Sequence, residues 1–190
     1  MQNGVIVNET YAQTDFTVKG MDAAEYEQCS FTDCNLSGTD LSGIVFADCI
    51  FSNCNLSSAA LKNTTLNEVQ FDNCKLLGMH FNDCNKFLLS LKFNDCQLSY
   101  SVFYQLKLRG ITFDNCNLEE TDFTQADLTS SVFHNCNLSL AIFDNTILEA
   151  ADFRTAVNYS IDPENNKIKH AKFAAHGLAG LLEKYRLDID

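Results

Sequence analysis

Large apolar residues recur at every fifth position along most of this chain. Between residues 113 and 133 they are Phe113, Leu118, Phe123, Leu128 and Phe133. A period of five is neither the 3.6 of an amphipathic helix nor the two of a half-buried strand. Such a tandem repeat indicates a solenoid, in which each repeat packs only on its neighbours.

A period of twenty lies above the period of five. Apart from one shift of two residues, twenty positions separate the members of a column of phenylalanines: Phe31, Phe51, Phe71, Phe93, Phe113, Phe133 and Phe153. Four five-residue repeats per turn would place these side chains directly above one another. We therefore predict that they form the structural core of a rod.

The phase shift predicts a two-residue insertion near 82–92. We expect Leu88 to point inward and the chain to bulge near Asn85 and Lys86, because an unpaired lysine in the interior would be costly. The bulge is either a structural irregularity at one corner or a contact loop, since loops often carry binding residues.

The residue two positions before each large apolar residue is small in most repeats. All nine cysteines occupy this place in the local five-residue frame, although for Cys84 the residue at the large position is Lys86. The complete motif is seen in Ala126-Asp127-Leu128-Thr129-Ser130 and Ala151-Asp152-Phe153-Arg154-Thr155. This pattern resembles the pentapeptide-repeat family, whose motif is A-(D/N)-L-x-x. Over residues 16–153 the resemblance implies an all-β fold, a right-handed quadrilateral β-helix of about seven coils. A short C-terminal helix is expected to cap it.

The cysteines are interpreted as core residues. Their spacings of five, ten or more do not match the C-x₂₋₄-C pairs of zinc sites, and a free cysteine behaves as a small hydrophobe. The four histidines are scattered, and no nucleophile or phosphate-binding motif is present. We therefore expect no metal, no cofactor and no catalytic residues, so the protein is not expected to be an enzyme.

A column of Asn and Asp residues is expected to form one corner of the coil. Its members precede the cysteines of one column: Asp33, Asn53, Asn73, Asp95, Asn115 and Asn135. Asn and Asp tolerate a left-handed backbone and form local hydrogen bonds in turns.

The two ends of the chain depart from the repeat. Residues 1–15 are interpreted as a capping strand or an imperfect first coil. In residues 154–190, the segment 167–173 is expected to be a strand with Ile168 and Phe173 inward. Four apolar residues then follow helical spacing: Leu178, Leu181, Leu182 and Tyr185. This helix either covers the end of the rod or forms the interface of a homodimer.

The charge of the chain, −12, is concentrated in the rod. Residues 16–153 contain 18 acidic and 7 basic residues, a net charge of −11, whereas residues 154–190 carry +1. Direct nucleic-acid binding requires a basic surface and is disfavoured. The acidity serves either solubility or imitation of nucleic acid. The acid-rich stretch with Glu119, Glu120, Asp122 and Asp127 is the candidate partner-binding surface, and all four side chains are expected to face solvent.

The sequence also leads to expectations about the location of the protein and its function. The chain has no apolar run long enough to span a membrane, and its start lacks the pattern of a secretory signal, which predicts a cytoplasmic protein with no membrane contact. The resemblance extends to Qnr-type quinolone-resistance proteins, a mycobacterial fluoroquinolone-resistance protein and the microcin B17 immunity protein. These are dimeric acidic rods that act on DNA gyrase or topoisomerase IV. Qnr-type members often carry projecting loops between coils. In this chain only two residues are inserted.

Two functions therefore remain open. One is a noncatalytic DNA mimic that binds a type II topoisomerase. The other is a repeat scaffold that binds an unrelated protein or has a purely structural role.

Overall fold

The computed structural model describes residues 4–188, so residues 1–3 and 189–190 of the two terminal segments lie outside the described part. The chain winds into a right-handed quadrilateral β-helix, as predicted. Successive coils pair in parallel, with Phe31 opposite Phe51 and Phe113 opposite Phe133. Because the chain returns to the same point every twenty residues, each sequence column becomes a physical column.

Short strands form two of the four faces. Strands β1, β3, β5 and β7 form one sheet, and β2, β4, β6, β8, β9, β10 and β11 form the other. Their bounds are β1 Val5–Val7, β2 Thr10–Ala12, β3 Glu25–Glu27, β4 Ser30–Thr32, β5 Val45–Ala47, β6 Ile50–Ser52, β7 Thr65–Asn67, β8 Val69–Asp72, β9 Leu91–Asn94, β10 Thr112–Asp114 and β11 Val132–His134. Elsewhere single parallel bridges join the coils, for example Asn117 to Asn137.

A continuous stack of aromatic rings runs through the interior. The phenylalanine column is buried, and Tyr11 and Phe173 extend it at its two ends. Neighbouring rings are stacked with centroids between 4.5 and 5.4 Å apart. A second column, Phe81, Phe103, Phe123 and Phe143, stacks at 4.7 to 5.2 Å. Edge-to-face contacts join the two columns, as between Phe113 and Phe123. Such pairs add to the stabilisation from burial alone.

The small position serves a second purpose that size alone does not explain. The thiol of Cys54 donates to the carbonyl oxygen of Phe31 at 3.3 Å, and the hydroxyl of Thr121 donates to that of Leu98 at 3.1 Å. Ser101 makes the same bond to Leu76 at 2.8 Å. In each case the acceptor lies one coil earlier. The buried thiol and hydroxyl donors of these small residues thus all find acceptors inside the rod.

The Asn/Asp column forms a corner, as its chemistry indicates. All six members have left-handed backbone, with φ between 51° and 55° (Asp33, Asn53, Asn73, Asp95, Asn115 and Asn135). The other corners use the same conformation at the position two residues after most of the large apolar residues.

The insertion shifts the register from 20 to 22 residues between Asn85 and Ser90. The amide of Asn85 still bonds Thr65, whereas the hydroxyl of Ser90 bonds Glu68. The prediction for Leu88 is wrong: its side chain is 58 % exposed, and Leu89 packs against the core instead. The reason is that Leu88, with φ at 60°, is itself the corner residue, so its side chain turns away from the interior.

The ends differ from expectation in local structure. Strands β1 and β2 pair with β3 and β4, so residues 5–12 stack as part of a coil. A single helical turn, α1 Phe16–Lys19, follows; Asp15 caps it by accepting from the backbone N–H of Thr17. Residues 167–173 are not a strand, because a left-handed corner at His170 interrupts them, but Ile168 and Phe173 do pack on the core.

The C-terminal segment forms two 3₁₀-helices, Ala175–Leu181 and Glu183–Tyr185, instead of one α-helix. The carbonyl oxygen of Gly180 accepts from the N–H of Ile161 at 2.9 Å, so it is engaged outside the segment. The segment also lies very close to Tyr159: a Cβ at residue 180 would stand 2.1 Å from the Tyr159 carbonyl oxygen. Within residues 4–188, none of the helices is long and apolar enough to cross a membrane.

The core predicts a sharp contrast between adjacent residues of β10. Phe113→Asp should unfold the rod or divide it, because losing the ring costs about 3–5 kcal/mol and the buried carboxylate several more. Thr112→Asp, which adds the same carboxylate at an exposed neighbour, is the control and should change the melting temperature little. Thermal melts by circular dichroism compare the two. Equal melting temperatures would show that residue 113 is not a core position.

The buried thiols predict a loss of stability in alkali. Burial raises the pKa of the Cys49 thiol to about 11, and hydrogen bonding with Cys136 together with burial raises the pKa of Cys116 to about 12. Folding therefore favours the protonated thiols. Their contribution is complete below the ordinary thiol pKa of 9.0 and declines as pH rises toward these higher values.

Urea titrations at neutral and increasingly alkaline pH should show this decline. At neutral pH Cys116→Ser, which keeps a donor, should lose less stability than Cys116→Ala, with both losses at most about 1–2 kcal/mol. A thiol reagent should label the native protein slowly and the unfolded protein at once. Rapid labelling of the native protein at neutral pH would contradict the burial of the cysteines.

Candidate partner-binding surface

Three of every five residues face outward, and the charges they carry are unevenly distributed. The face backed by Phe81, Phe103, Phe123 and Phe143 is the most acidic. Beside its large residues lie four aspartates and one lysine: Asp22, Asp40, Asp122, Asp144 and Lys62. The next face carries as many acidic residues beside its large residues, Glu25, Glu27, Asp127 and Glu149, but also the basic residues Lys107 and Arg109. The excess of acidic over basic side chains is thus somewhat larger on the first of these two faces.

Three of the four candidate acidic residues lie together at one edge of the acidic face. Glu120 is exposed at a corner with φ at 53°, and Glu119 and Asp122 on either side are partly exposed. One oxygen of Asp122 accepts from the backbone N–H of Thr124 at 2.8 Å. The ion pairs found within residues 4–188 include none of these three carboxylates. Their charge therefore stays directed at solvent.

Asp127 does not belong to this group, which corrects the expectation that all four side chains face solvent. Its side chain is only 15 % exposed and pairs with Arg109 at 2.7 Å. Desolvation alone would raise the pKa of Asp127, but hydrogen bonds from Thr129 and Arg109 outweigh it and lower the pKa. Asp127 thus offsets a neighbouring charge of the rod.

Exposed apolar side chains flank the remaining acidic residues, and sequence reasoning missed them. Tyr100, Leu140 and Ile142 are 55, 68 and 49 % exposed. Tyr100 and Leu140 occupy the same corner as Glu120, one coil before it and one coil after it. A signal was present in the sequence, because this corner column reads Gly38, Ser58 and Gly78 before the insertion and Tyr100, Glu120 and Leu140 after it.

The insertion adds a second exposed apolar site on a different side of the rod. Phe87 and Leu88 project from it, with Lys86 beside them. A shallow groove next to the insertion is lined by Leu89, Lys92, Lys107 and Arg109, among others. This region is apolar and basic, in contrast to the acidic face.

The C-terminal segment presents a third apolar cluster. Leu178, Leu182 and Tyr185 are exposed, whereas Leu181 packs against the core. The ammonium group of Lys184 contacts Asp162 and Glu164, each at 2.7 Å, and the Tyr185 hydroxyl donates to Glu164. Hydrogen bonds from Lys184 lower the pKa of both carboxyl groups. These contacts hold the segment in place while Leu178 and Leu182 remain exposed.

The described residues offer no cluster for metal chemistry. Between residues 4 and 188 there is no group of three or more His, Cys, Asp or Glu side chains arranged to hold an ion. The nine cysteines are free and buried.

Comparison with known proteins identifies the repeat. The family description "Pentapeptide repeat region" matches residues 24–103, and "Pentapeptide repeats (8 copies)" matches 96–135, 107–145 and 121–157. No curated protein sequence matches the chain.

Solved structures share the fold at low sequence identity. A trypsin-treated variant of QnrB1, a plasmid-mediated fluoroquinolone resistance protein, is 17 % identical with a TM-score of 0.62, and the alignment covers 99 % of both chains. HetL, a pentapeptide repeat protein involved in heterocyst differentiation regulation in the cyanobacterium Nostoc sp., is also 17 % identical. Its TM-score is 0.43, over 90 % of this chain and 88 % of HetL. From the matched residues and the stacked five-residue coils together, the chain belongs to the pentapeptide-repeat family.

Proposed function

We propose that this protein is a noncatalytic acidic rod that binds a type II topoisomerase, DNA gyrase or topoisomerase IV, in place of duplex DNA. The observation that carries the proposal is the acidic face, which directs unpaired carboxylates outward from a straight stack of coils. The resemblance to Qnr-type proteins supplies the partner. Protection of the enzyme from quinolones or toxins would follow from occupation of its DNA-binding groove.

The charge per unit length of the rod is of the same order as that of duplex DNA, which supports mimicry. Coils about 4.8 Å apart make residues 16–153 a rod roughly 34 Å long. Its net charge of −11 is then one charge per about 3 Å, against one per about 1.7 Å for duplex DNA. The rod as a whole therefore has about half the linear charge density of duplex DNA.

A homodimer through the C-terminal segment is the second part of the proposal. Leu178, Leu182 and Tyr185 form an exposed apolar cluster at the end of the rod, where a second copy would cover them. Joining two rods end to end would double the length of the acidic surface. In each of the two copies, the ion pairs of Lys184 would hold the apolar cluster in position.

The functional test measures binding to purified gyrase and inhibition of its supercoiling, with and without a quinolone. The triple variant Glu119→Gln, Glu120→Gln, Asp122→Asn should bind clearly more weakly, because it removes three outward charges and leaves the interior intact. Wild-type affinity should fall with added salt, which screens charges over about 10 Å at 0.1 M. Duplex DNA should compete.

A charge-conserving variant, Glu119→Asp, Glu120→Asp, Asp122→Glu, is the matched control and should bind nearly as the wild type does. Melting temperatures of both variants should stay near that of the wild type. Tight gyrase binding that ignores both salt and neutralisation would contradict mimicry while keeping the partner. Absence of gyrase binding at any salt would instead favour a scaffold for an unrelated protein.

The dimer test substitutes the two exposed leucines of the C-terminal segment. Leu178→Lys with Leu182→Lys should give a folded monomer, because neither side chain belongs to the core. Leu181 is left unchanged because it packs on the core. Val18→Lys, which places a lysine on an exposed apolar residue near the opposite end, should remain dimeric. Light scattering decides between them, and a wild type that is monomeric at tens of micromolar would refute the interface.

A further inference from the structure

Three successive coils build a banded surface along one corner of the rod. Each coil contributes two outward side chains there: Tyr100 and Val102, then Glu120 and Asp122, then Leu140 and Ile142. Parallel bridges join Val102 to Asp122 and Asp122 to Ile142, so the pairs stack in register. An acidic rung thus lies between two apolar rungs. We call this surface the banded corner.

The charge around the banded corner has one sign. The three segments that form it, 97–104, 117–124 and 137–144, contain four acidic residues and no lysine or arginine. Beyond Leu140 and Ile142 an open groove continues to Asp162 and Glu183. At that end Asp162 is paired with Lys184, so the acidic band of the corner is the one formed by Glu120 and Asp122.

The large side chains occupy positions where the backbone does not favour them. Tyr100 and Leu140 have φ at 63° and 57°, a left-handed conformation that suits glycine. Gly38 and Gly78 hold the same corner in earlier coils, at 63° and 64°. Folding alone would thus be served better by glycine at these two positions. Bulky apolar side chains at unfavourable exposed positions suggest a contact outside the fold.

We propose that the banded corner is the docking surface for an α-helix of a partner protein, one that presents apolar, basic and apolar side chains on successive turns. The turns of a helix are about 5.4 Å apart, close to the coil spacing of about 4.8 Å. In a β-strand, residues on the same face are about 6.7 Å apart. A bound strand aligned with the first pair of side chains would therefore be out of register by roughly 4 Å at the third pair. A lysine or arginine between leucine-like side chains would meet Glu120 and Asp122.

This proposal deepens the proposed function, since it rests on the same acidic face and names where on the rod a topoisomerase would be gripped. It adds that charge alone is not sufficient. The general field of the rod draws a basic partner, and the apolar rungs give the contact its position.

The test uses variants that restore the glycine of the earlier coils. Tyr100→Gly with Leu140→Gly removes the apolar rungs at positions where glycine fits the backbone, so the fold should be retained. Leu88→Gly, at an exposed left-handed leucine elsewhere, is the matched control. The probe is a synthetic helical peptide with Leu, Arg and Leu on successive turns of one face. Two further peptides replace its leucines by serine or its arginine by glutamate.

The wild type and Leu88→Gly should bind the Leu-Arg-Leu peptide in fluorescence anisotropy. The double glycine variant, and each altered peptide, should lose about tenfold in affinity. Equal affinity for the serine peptide, no binding of the first peptide, or an equal loss in Leu88→Gly would overturn the docking surface.

The same variants titrated into gyrase separate this proposal from the proposed function. If the variant Tyr100→Gly with Leu140→Gly binds gyrase as tightly as the wild type does, the banded corner is not the topoisomerase contact. DNA mimicry would then still hold. Peptide binding without gyrase binding would do the reverse, keeping the docking surface and removing the topoisomerase.

Discussion

The constraint on which this structure depends is that each coil must repeat the one beneath it. Ring stacking at 4.5 to 5.4 Å and parallel backbone bonds both require equivalent residues to lie one above another. A change in the length of one coil therefore has to be absorbed within that coil. The insertion obeys this rule, because the aromatic column passes from Phe71 to Phe93 with the rings still stacked. The two additional residues are accommodated entirely on the outside.

This constraint explains why the sequence predicted the interior well. A strict one-dimensional period maps directly onto columns, so the burial of Phe113 or the left-handed corner at Asn115 follows from spacing and residue type. Leu88 and the strand expected over residues 167–173 were predicted wrongly for a common reason. In both places a left-handed corner turns the chain, at Leu88 and at His170, and neither residue type marks a corner in the sequence.

The surface is a different case, because the repeat leaves it almost free. Outward positions accept charge, amide, hydroxyl or apolar side chains without disturbing the column behind them. The repeat motif therefore identifies the fold and says little about function. Asp127 illustrates the difficulty: its sequence position matches that of Asp122, yet only the structure reveals the neighbouring Arg109. A candidate acidic surface drawn from the sequence included both.

The freedom of the surface also gives its exceptions meaning. An acidic outward residue needs no special explanation, since it keeps an elongated protein soluble. A leucine or tyrosine with left-handed backbone and an exposed side chain serves neither solubility nor the fold. Tyr100 and Leu140 are such exceptions, and they stand on both sides of Glu120. The charges of the rod act together and at a distance, so they attract any basic partner. The apolar side chains act only on contact. Specificity for one partner therefore depends on these apolar side chains more than on the total charge.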